Sequence, residues 1–385
     1  MQHSRHDRCE FPIATFLISA TRALMAEIFQ TIELPKSQAT GITIERIDPL
    51  ADSQWDDLVR FHPAPTIFHY SAWAHVLVET YGHQPFYLRI SVYGVEAALI
   101  PLMEVKSRLT GCRGVSLPFS DFAGPLWRDP CQAPSVYSAL VELAAVRKWK
   151  HLELRGSLVP PAAAKTYQTY DSHDLDLRPG AEALFQNLDT SVRRAIRKSE
   201  ASGIQVTVER SSEAMNEFYL LHGQTRRRHG LPPQPQRFFN AIFKHLVARN
   251  LGIIVLARLA GVPVAGAVFF HSATRAIYKF GASDTQHWPS RPNQGVMWAA
   301  IRELVKIGCE ELQFGRTSPA DAGLVRFKLS WGSVSQPLSY FRHHCQASAW
   351  MSADRLPAES HPLIFGHLPL ACNRLAGRLI YPHLD

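Results

Sequence analysis

Runs of alternating and helically spaced apolar residues divide the first half of the chain into strands and helices. Ile42 to Ile47 (ITIERI) alternates as a half-buried strand does, and Asp48-Pro49 ends it. The spacing predicts helices at Ser53 to Phe61, Ser71 to Tyr81 and Ala133 to Lys148. It predicts extended segments at Pro85 to Val92, Val95 to Val105, Gly114 to Leu117, His151 to Arg155 and Thr166 to Leu177. This order of elements indicates a mixed α/β layer structure.

The second half repeats the order of elements with different residues. Its predicted helices are Ala181 to Ala201, Ser212 to Arg228, Pro235 to Ala248, Val296 to Ile307 and Gly323 to Trp331. Its predicted strands are Ile204 to Glu209, Gly252 to Arg258, Val264 to His271, Ala276 to Ala282, Glu311 to Phe314 and Pro337 to Phe341. The repeated order predicts two domains, 42–165 and 166–345, that meet beside Val159-Pro160-Pro161.

Both ends of the chain are predicted to lie outside these domains. The apolar run Phe11 to Ala20 is short, and acidic residues interrupt the basic region before it, unlike in a signal peptide. Met25 is an alternative start to Met1, so residues 1–41 are interpreted as disordered or as an over-extended gene start. Residues 346–385 form a C-terminal extension, whose helix Leu368 to Ile380 is expected to dock on the second domain. No apolar run reaches the roughly 20 residues that span a bilayer.

Composition narrows the class of protein without naming a partner. The 385 residues are 46% hydrophobic and 19% charged, which excludes a disordered chain. The net charge of +8 favours anionic partners such as nucleotides, phosphorylated lipids or RNA. Six dispersed cysteines without a C-x-x-C pair indicate reduced thiols and a cytoplasmic location. The eighteen histidines show no metal-ligand spacing, so no metal site is predicted.

One candidate for phosphate binding is the loop SRPNQG, which precedes a predicted helix. A helix N-terminus offers unpaired N–H groups and a partial positive charge. Arg291 adds a charge, Asn293 can cap the helix or donate, and Gly295 allows close approach of the backbone. A plain capped helix after a long loop explains the pattern equally well. The spacing is neither that of a P-loop nor that of a dinucleotide fold.

Polar groups at the ends of predicted strands supply further candidates. Arg316 ends a strand, where side chains commonly face a ligand crevice, and its guanidinium suits a carboxylate or phosphate. Lys328 points either into a cleft or to solvent, whereas Phe327 and Trp331 have core spacing. Asp121, in LPFSDFAGP, either holds an amine or forms a turn.

Two basic clusters, SVRRAIRKSE and TRRRHG, lie on predicted helices. Each is explained either by phosphate contacts or by a solvated helix face. No RNA-recognition or helix-turn-helix signature accompanies them, and DNA is not an expected partner. A G-x-S-x-G nucleophile elbow does not occur either, which disfavours hydrolase chemistry.

Taken together, several segments over residues 42–345 resemble one family in their order and spacing. They are YSAWAHVLVETYGHQPFYL, ALIPLMEVKSRLTG, VSLPFSDFAGPL, VRRAIRKSEASGI, TRRRHGLPPQP, VAGAVFF, YKFGASD, RPNQGVMW and FGRTS…GLVRFKLSWG. The family is the FemAB-like branch of the GNAT acyltransferases, in particular the FemAB-related proteins of exopolysaccharide and protein-sorting loci. The resemblance implies two tandem GNAT-like domains with a shared cleft.

The resemblance also implies a reaction, the transfer of an acyl or aminoacyl group onto an amine through a tetrahedral intermediate. The expected acceptor is a peptidoglycan or exopolysaccharide precursor, anionic or lipid-linked, and peripheral contact with a membrane is compatible with it. The donor is acyl-CoA or aminoacyl-tRNA, and the sequence leaves the two open. The alternative is a non-catalytic module that keeps the GNAT fold and binds a precursor or RNA.

The resemblance assigns roles to residues of this chain. Phe327-Lys328 resembles the family's Phe-Lys motif, in which the lysine stabilises the oxyanion, and Asp121 would orient or deprotonate the amine. The donor phosphate would contact Arg291, Asn293 and Gly295. The candidate substrate-binding residues all lie within the matching segments, and they are Arg316, Trp331, Tyr278 and Arg226.

Overall fold

The computed structural model describes residues 29–32, 34, 41–157, 159–162, 164–352 and 364–384. Most of the predicted N-terminal segment 1–41 therefore lies outside the described residues. The sequence predicts ordered structure from Gly41 onward, but the structure has an earlier strand, β1 (Phe29–Ile32), which pairs antiparallel with β2 (Ile42–Ile47). Four residues are too few to show a period along the sequence, whereas the free edge of β2 gives them a hydrogen-bonding partner.

An antiparallel sheet of five strands is built from the first half of the chain. Its order is β1-β2-β4-β5-β8. The added strands are β4 (Tyr87–Val92), β5 (Val95–Ile100) and β8 (Leu126–Trp127). Between β4 and β5 the chain turns at Tyr93 and Gly94, both with positive φ, as the sequence predicts.

A second sheet of twelve strands combines strands from both halves of the chain. From the first half it takes β3 (Gln84–Pro85), β6 (Met103–Ser107), β7 (Gly111–Val115) and β9 (His151–Arg155). From the second half it takes β10 (Gln168–Asp176), β11 (Ile204–Glu209), β12 (Gly252–Leu259), β13 (Val262–Ser272), β14 (Arg275–Ser283), β15 (Glu311–Gln313), β16 (Val334–His344) and β17 (Ala349–Trp350).

The order of this sheet is β11-β12-β13-β14-β15-β10-β16-β9-β7-β6-β3, with β17 beside β16. The antiparallel pair β9–β16, in which Arg155 lies opposite Tyr340, joins the two halves of the chain. The boundary expected near residue 165 falls between β9 and β10, on the chain segment that links the two sides of this sheet. The division into domains stays a prediction.

Helices cover the sheets, mostly where the apolar spacing predicts them. They are α1 (Trp55–Arg60), α2 (Ser71–Tyr81), α3 (Ala133–Val146), α4 (Gly180–Asn187), α5 (Thr190–Ala201), α6 (Ser212–Arg228), α7 (Gln236–His245), α8 (Pro292–Lys306) and α9 (Ala322–Leu329). The single helix predicted over Ala181 to Ala201 is two helices, because Leu188 is extended with ψ of 149°. Asp189-Thr190-Ser191 carries the residue types that begin helices, so the second start was readable from the sequence.

The hydrophobic core runs across the two halves. Helix α2 packs on α7, and Trp73 meets Phe238 edge-on with ring centroids 6.0 Å apart. Both side chains are fully buried. This contact stabilises the association of the two halves, because both aromatic side chains are removed from water when the halves pack together.

The C-terminal segment is helical where the structure describes it. Helix α10 (Ile364–His367) and helix α11 (Leu370–Ile380) contact α6. The α11 backbone lies so close to the loop after α6 that a Cβ at Gly377 would be 1.9 Å from the Pro233 carbonyl oxygen. Within the described ranges, none of the helices is long and apolar enough to cross a bilayer.

Candidate functional site

A gap in the large sheet creates an opening beside β14. Strands β14 and β15 run parallel, and they pair only from Arg275 to Ile277 among the described residues. Strand β14 continues to Ser283 on its other side, where it pairs with β13. The chain after β15 turns away at Gly315, which has a φ of +70° that favours glycine. The segment from Tyr278 to Ser283 therefore lines a gap in the sheet.

The gap opens into a cavity of about 540 Å³, called here the strand-gap pocket. Tyr278 of β14, Asn293 of α8 and Phe327 of α9 line it. Burial raises the pKa of Tyr278 to about 12, so its hydroxyl keeps its proton. Gly281 makes room for that ring, because a Cβ there would lie 1.8 Å from the Tyr278 hydroxyl oxygen.

A second cavity of about 640 Å³, the cationic pocket, adjoins the strand-gap pocket. The two share Arg291, Gln294, Gly323 and Phe327 in their walls. The cationic pocket takes its charge from α5, α8 and α9, through Arg194, Lys198, Arg291 and Arg326. Four cationic side chains against one carboxylate, that of Asp189, around the same cavity favour an anionic ligand.

The start of α8 strengthens this preference for an anion. Arg291 precedes the helix with a φ of +59°, and no side-chain hydrogen bond caps the first turn. The backbone N–H groups of Arg291 and Gln294 already donate to the carbonyls of Trp288 and Arg291, so the preference rests on the Arg291 side chain and on the positive end of the helix dipole at the pockets' shared wall. The predicted helix start at Val296 is four residues late, since Pro292 takes the first helical position, where its missing N–H costs nothing.

A buried cluster of charges lies behind the strand gap. The Lys279 ammonium donates to Asp121 Oδ2 at 2.7 Å, and the Arg316 guanidinium lies 3.9 Å from Asp121 Oδ1. Burial by itself raises the pKa of Asp121, but the charges of Lys279 and Arg316 outweigh it and lower the pKa overall. The carboxylate is therefore held in its ionised form at neutral pH.

Tyr340 fixes the geometry of this cluster. Its hydroxyl donates to the Asp121 carbonyl oxygen at 2.6 Å and accepts from Arg316 at 3.0 Å. The Arg316 guanidinium also lies over the Tyr170 ring, 4.7 Å from its centroid. About a third of the Arg316 side chain is exposed, so this cation reaches solvent while Asp121 stays inside.

Lys328 lies next to the cluster and is only 2% exposed. Its ammonium donates to the Gly315 carbonyl oxygen at 2.8 Å and to the Thr317 hydroxyl. Burial lowers the pKa of Lys328 to about 8. Gly315, whose carbonyl accepts from the lysine, also lies close to Tyr278 and Asp121. A Cβ at Gly315 would be 3.2 Å from the Tyr278 carbonyl oxygen and 3.7 Å from Asp121 Oδ2.

The structure brings most of the predicted site residues together. Asp121 and Arg316 belong to the buried cluster and Lys328 lies next to it, although none of the three is in the wall of the strand-gap pocket or the cationic pocket. Tyr278, Phe327, Arg291 and Asn293 line the strand-gap pocket. The Asn293 amide donates to the Ser283 hydroxyl at 3.3 Å, so it holds the start of α8 against the end of β14.

Gly295 has a different role from the predicted one. It lies on the face of α8 that packs against α5, where a Cβ would be 2.5 Å from Ser199 Oγ. Neither pocket has Gly295 in its wall. Its lack of a side chain permits close packing of two helices, because the Ser199 side chain occupies the space of a Cβ.

Trp331 and Arg226 also differ from their predicted substrate-binding roles. Trp331 is 1% exposed and packs in the core beside Phe327, with ring centroids 6.2 Å apart. The Arg226 guanidinium donates to the Tyr381 hydroxyl at 2.9 Å and so fastens the C-terminal segment to α6. The core spacing of Trp331 already suggested the first outcome, whereas the second depends on a contact 155 residues away.

Lys279, Tyr340 and Arg228 are members of the site that sequence reasoning missed. Lys279 interrupts an apolar strand, AIYKFGA, and a charge inside such a strand is a signal that could have flagged it. Arg228 lines the strand-gap pocket and stacks on Trp288, 5.3 Å from the ring centroid. No group of three or more described His, Cys, Asp or Glu side chains is placed to hold a metal ion.

Comparisons with known proteins concern the fold and the domain family. Residues 186–328 match the family model described as an acetyltransferase (GNAT) domain. The crystal structure of FemX superimposes with a TM-score of 0.59 at 15% identity, covering 77% of this chain and 96% of that one. The chain matches no curated protein sequence.

Two further solved structures share the architecture. L-PGS from Bacillus licheniformis gives a TM-score of 0.50 at 12% identity, over 82% of this chain and 96% of that one. A tandem GNAT protein from the clavulanic acid biosynthesis pathway gives 0.50 at 9% identity, over 82% and 98%. At such identities the likeness concerns the fold.

The chain thus has a mixed α/β fold of the tandem GNAT type. It carries a GNAT-type acetyltransferase domain and resembles the FemAB-like members of that superfamily, as the sequence predicts. These findings support acyltransferase activity in general.

Proposed function

We propose that this protein transfers an acyl or aminoacyl group from a phosphate-bearing donor to an amine of a cell-envelope precursor. The observation that carries the proposal is the strand-gap pocket, which joins the cationic pocket at the start of α8 within the GNAT domain. A long donor with a phosphate at one end and a reactive acyl group at the other matches two joined cavities of this kind.

The donor would lie along the wall that the two pockets share. Its phosphates would contact the Arg291 side chain at the start of α8, with Arg194 and Arg326 adding charge from the cationic pocket. Its acyl end would reach between β14 and Phe327, toward Tyr278. Both acyl-CoA and the 3′ end of an aminoacyl-tRNA have this chemistry, so the choice between them belongs to the experiment below.

In the reaction, the amine nitrogen bonds to the donor carbonyl carbon and negative charge collects on the carbonyl oxygen. The bond to the leaving thiolate or alkoxide then breaks, and the proton lost by the amine returns to the leaving group. Lys328 would stabilise the oxyanion by redirecting one N–H from Thr317 or Gly315. One hydrogen-bond donor of this kind contributes about 2.7–4 kcal/mol of transition-state stabilisation.

Asp121 would hold the acceptor amine rather than act as a strong base. Its pKa is lowered by Lys279 and Arg316, so it stays ionised and can accept a hydrogen bond from the neutral amine, whose nitrogen keeps its lone pair for the attack. Arg316, with its exposed edge beside Tyr170, would contact an anionic group of the same acceptor. The fold likeness to FemX and the net charge of +8 support an anionic envelope precursor as that acceptor.

The test is to titrate the purified protein with acetyl-CoA and, separately, with a charged tRNA, at two salt concentrations. Saturable acetyl-CoA binding that Arg291→Glu weakens at least about ten-fold would identify an acyl-CoA enzyme. Tight tRNA binding that depends on the attached amino acid would identify aminoacyl transfer. Lys306→Glu, at the far end of α8, is the matched control and should bind as the wild type does. Failure of both donors to bind would contradict the proposal.

A second candidate, a non-catalytic module that binds a precursor or RNA, is favoured by the burial of Lys328. That ammonium already has acceptors in Gly315 and Thr317, and a lysine engaged in this way can serve the fold alone. Binding that survives Lys328→Ala, combined with no transfer from any donor by the wild type, would identify the module.

A further inference from the structure

The outer face of α11 carries two exposed leucines beside the exposed Arg378, a mixture of apolar and cationic groups. Leu375 and Leu379, one turn apart on the helix, are 57% and 63% exposed. The opposite face is the packed one, since Asn373 and Gly377 are buried there against the rest of the chain. The two leucines therefore point away from the helix's own packing contacts.

The hairpin between β6 and β7, which contacts the residues just after α11, also carries an exposed leucine. Leu109 at its tip is 78% exposed. The hairpin is tied to the residues just after α11, because Ser107 Oγ lies 3.0 Å from His383 Nδ1 and Arg113 donates to the His383 carbonyl at 2.8 Å. Leu109, Leu375 and Leu379 are called here the C-terminal surface.

Cationic side chains surround the hairpin part of this surface. The exposed ones are Lys106, Arg108, Arg147, Lys148 and Lys150 near the hairpin and Arg378 on α11. Lys106 and Arg147 both bond to Glu104, a buried carboxylate that offsets one of their two positive charges. The alkyl chain of Lys150 passes within 3.7 Å of a Cβ at Gly111, which places its charge beside the hairpin.

We propose that the C-terminal surface docks this protein on an anionic lipid bilayer. Exposed leucines can insert at the boundary between headgroups and acyl chains, while lysine and arginine side chains contact lipid phosphates. The positive charge of this surface favours an anionic bilayer over a second copy of this chain, because a second copy would place like cations against one another. The proposal goes beyond the transfer reaction and uses none of the residues assigned to it.

The first test is flotation of the full-length protein with vesicles of phosphatidylcholine, alone or mixed with phosphatidylglycerol. Binding to the mixed vesicles is expected, with little binding to the neutral ones and loss at high salt. Leu375→Ser with Leu379→Ser should weaken binding at least about ten-fold, because each leucine loses its transfer from water to lipid. Val262→Ser, an exposed apolar residue at the tip of another hairpin, is the matched control and should leave binding unchanged.

The second test reverses charges. Arg108→Glu with Lys150→Glu should also weaken vesicle binding at least about ten-fold, whereas Arg249→Glu with Lys306→Glu makes the same change of net charge elsewhere and should weaken it far less. All variants should keep the wild-type melting temperature and acetyl-CoA titration, which separates this surface from the transfer site.

Three results would overturn the docking proposal. They are equal binding to neutral and anionic vesicles, wild-type binding by the leucine variant, and a wild-type dimer in sedimentation that the leucine variant converts to a monomer. The last would identify the surface as an interface between copies.

Discussion

Lys328 combines two properties that conflict, a positive charge and a nearly dry location. Its ammonium is compensated by the Gly315 carbonyl and the Thr317 hydroxyl, yet burial still lowers its pKa to about 8. Lysines tuned in this way are frequent at functional sites, although structural networks produce the same shift. Two measurements on this one side chain separate those explanations.

The first prediction concerns turnover. Lys328→Ala should lower the rate of transfer by roughly 10²–10³ while binding of the acyl donor is retained. The reason is that the lysine N–H stabilises negative charge that develops only in the transition state. The rates are measured with whichever donor binds. Lys328→Met, which keeps the volume and lacks the charge, controls for a packing defect and should be as slow. An unchanged rate in both variants would contradict the assignment of Lys328.

The second prediction concerns stability against pH. Because the pKa of Lys328 is about 8 when folded and near its ordinary 10.5 when unfolded, the unfolded chain binds more protons between these values. Stability should therefore rise with pH from about 8 to 10.5, and this gain is lost as pH falls from 10.5 to 8. The difference amounts to about 3 kcal/mol.

This pH dependence is measured by urea unfolding of the wild type and of Lys328→Met at several pH values. The variant cannot titrate at this position, so its stability should rise less over the same range. Comparing the two proteins cancels the contributions of all other titrating groups. Parallel curves for the two proteins would show that the lysine is not buried as the structure has it.

Among the elements, helix α8 has two roles, because it borders both pockets and packs on α5. Its N-terminus forms the shared wall of the two pockets, and its buried face packs on α5 through Gly295. The sequence motif SRPNQG correctly predicts a helix start, but it does not distinguish a glycine that approaches a ligand from one that approaches a neighbouring helix. The difference is decided by Ser199, about ninety residues away along the chain.

The third prediction tests this role of Gly295. Gly295→Ala should destabilise the fold by about 1–3 kcal/mol, because its Cβ would lie 2.5 Å from Ser199 Oγ and the helices would have to move apart. Ser199→Ala in the same chain should recover part of the loss, since it removes the clashing oxygen. Thermal unfolding measures both. A stable Gly295→Ala protein with weakened acetyl-CoA binding would instead favour the predicted contact with phosphate.

For the whole molecule, the twelve-stranded sheet and the α2–α7 contact join the two halves. Strand β16 pairs with both β9 and β10, and Trp73 is fully buried against Phe238. Asp121 comes from a loop of the first half and Lys279 from a strand of the second, so the buried cluster exists only when both halves are folded. Cooperation between the halves is therefore a condition for the site.

The fourth prediction follows from that dependence. Trp73→Ala should lower the free energy of unfolding by about 3–5 kcal/mol, because a large ring leaves a cavity between α2 and α7. Unfolding should remain one transition when it is followed by the fluorescence of the remaining tryptophans and by circular dichroism. Two separate transitions in the wild type would show that the halves fold independently.

The sequence by itself determined the local structure and the class of the fold. Period-two and helical apolar patterns gave the correct bounds of β2, α2, β9, β11 and α6. The alternation did not show that β9 is buried on both faces, with Glu153 and Arg155 inside. The Phe327-Lys328 pair and the order of matching segments indicated the GNAT resemblance. Only the tertiary structure decided which side chains meet, because the Asp121–Lys279 pair spans 158 residues and the Arg226–Tyr381 pair 155. A one-dimensional pattern records whether a residue is buried, and contacts between distant segments decide what it is buried against.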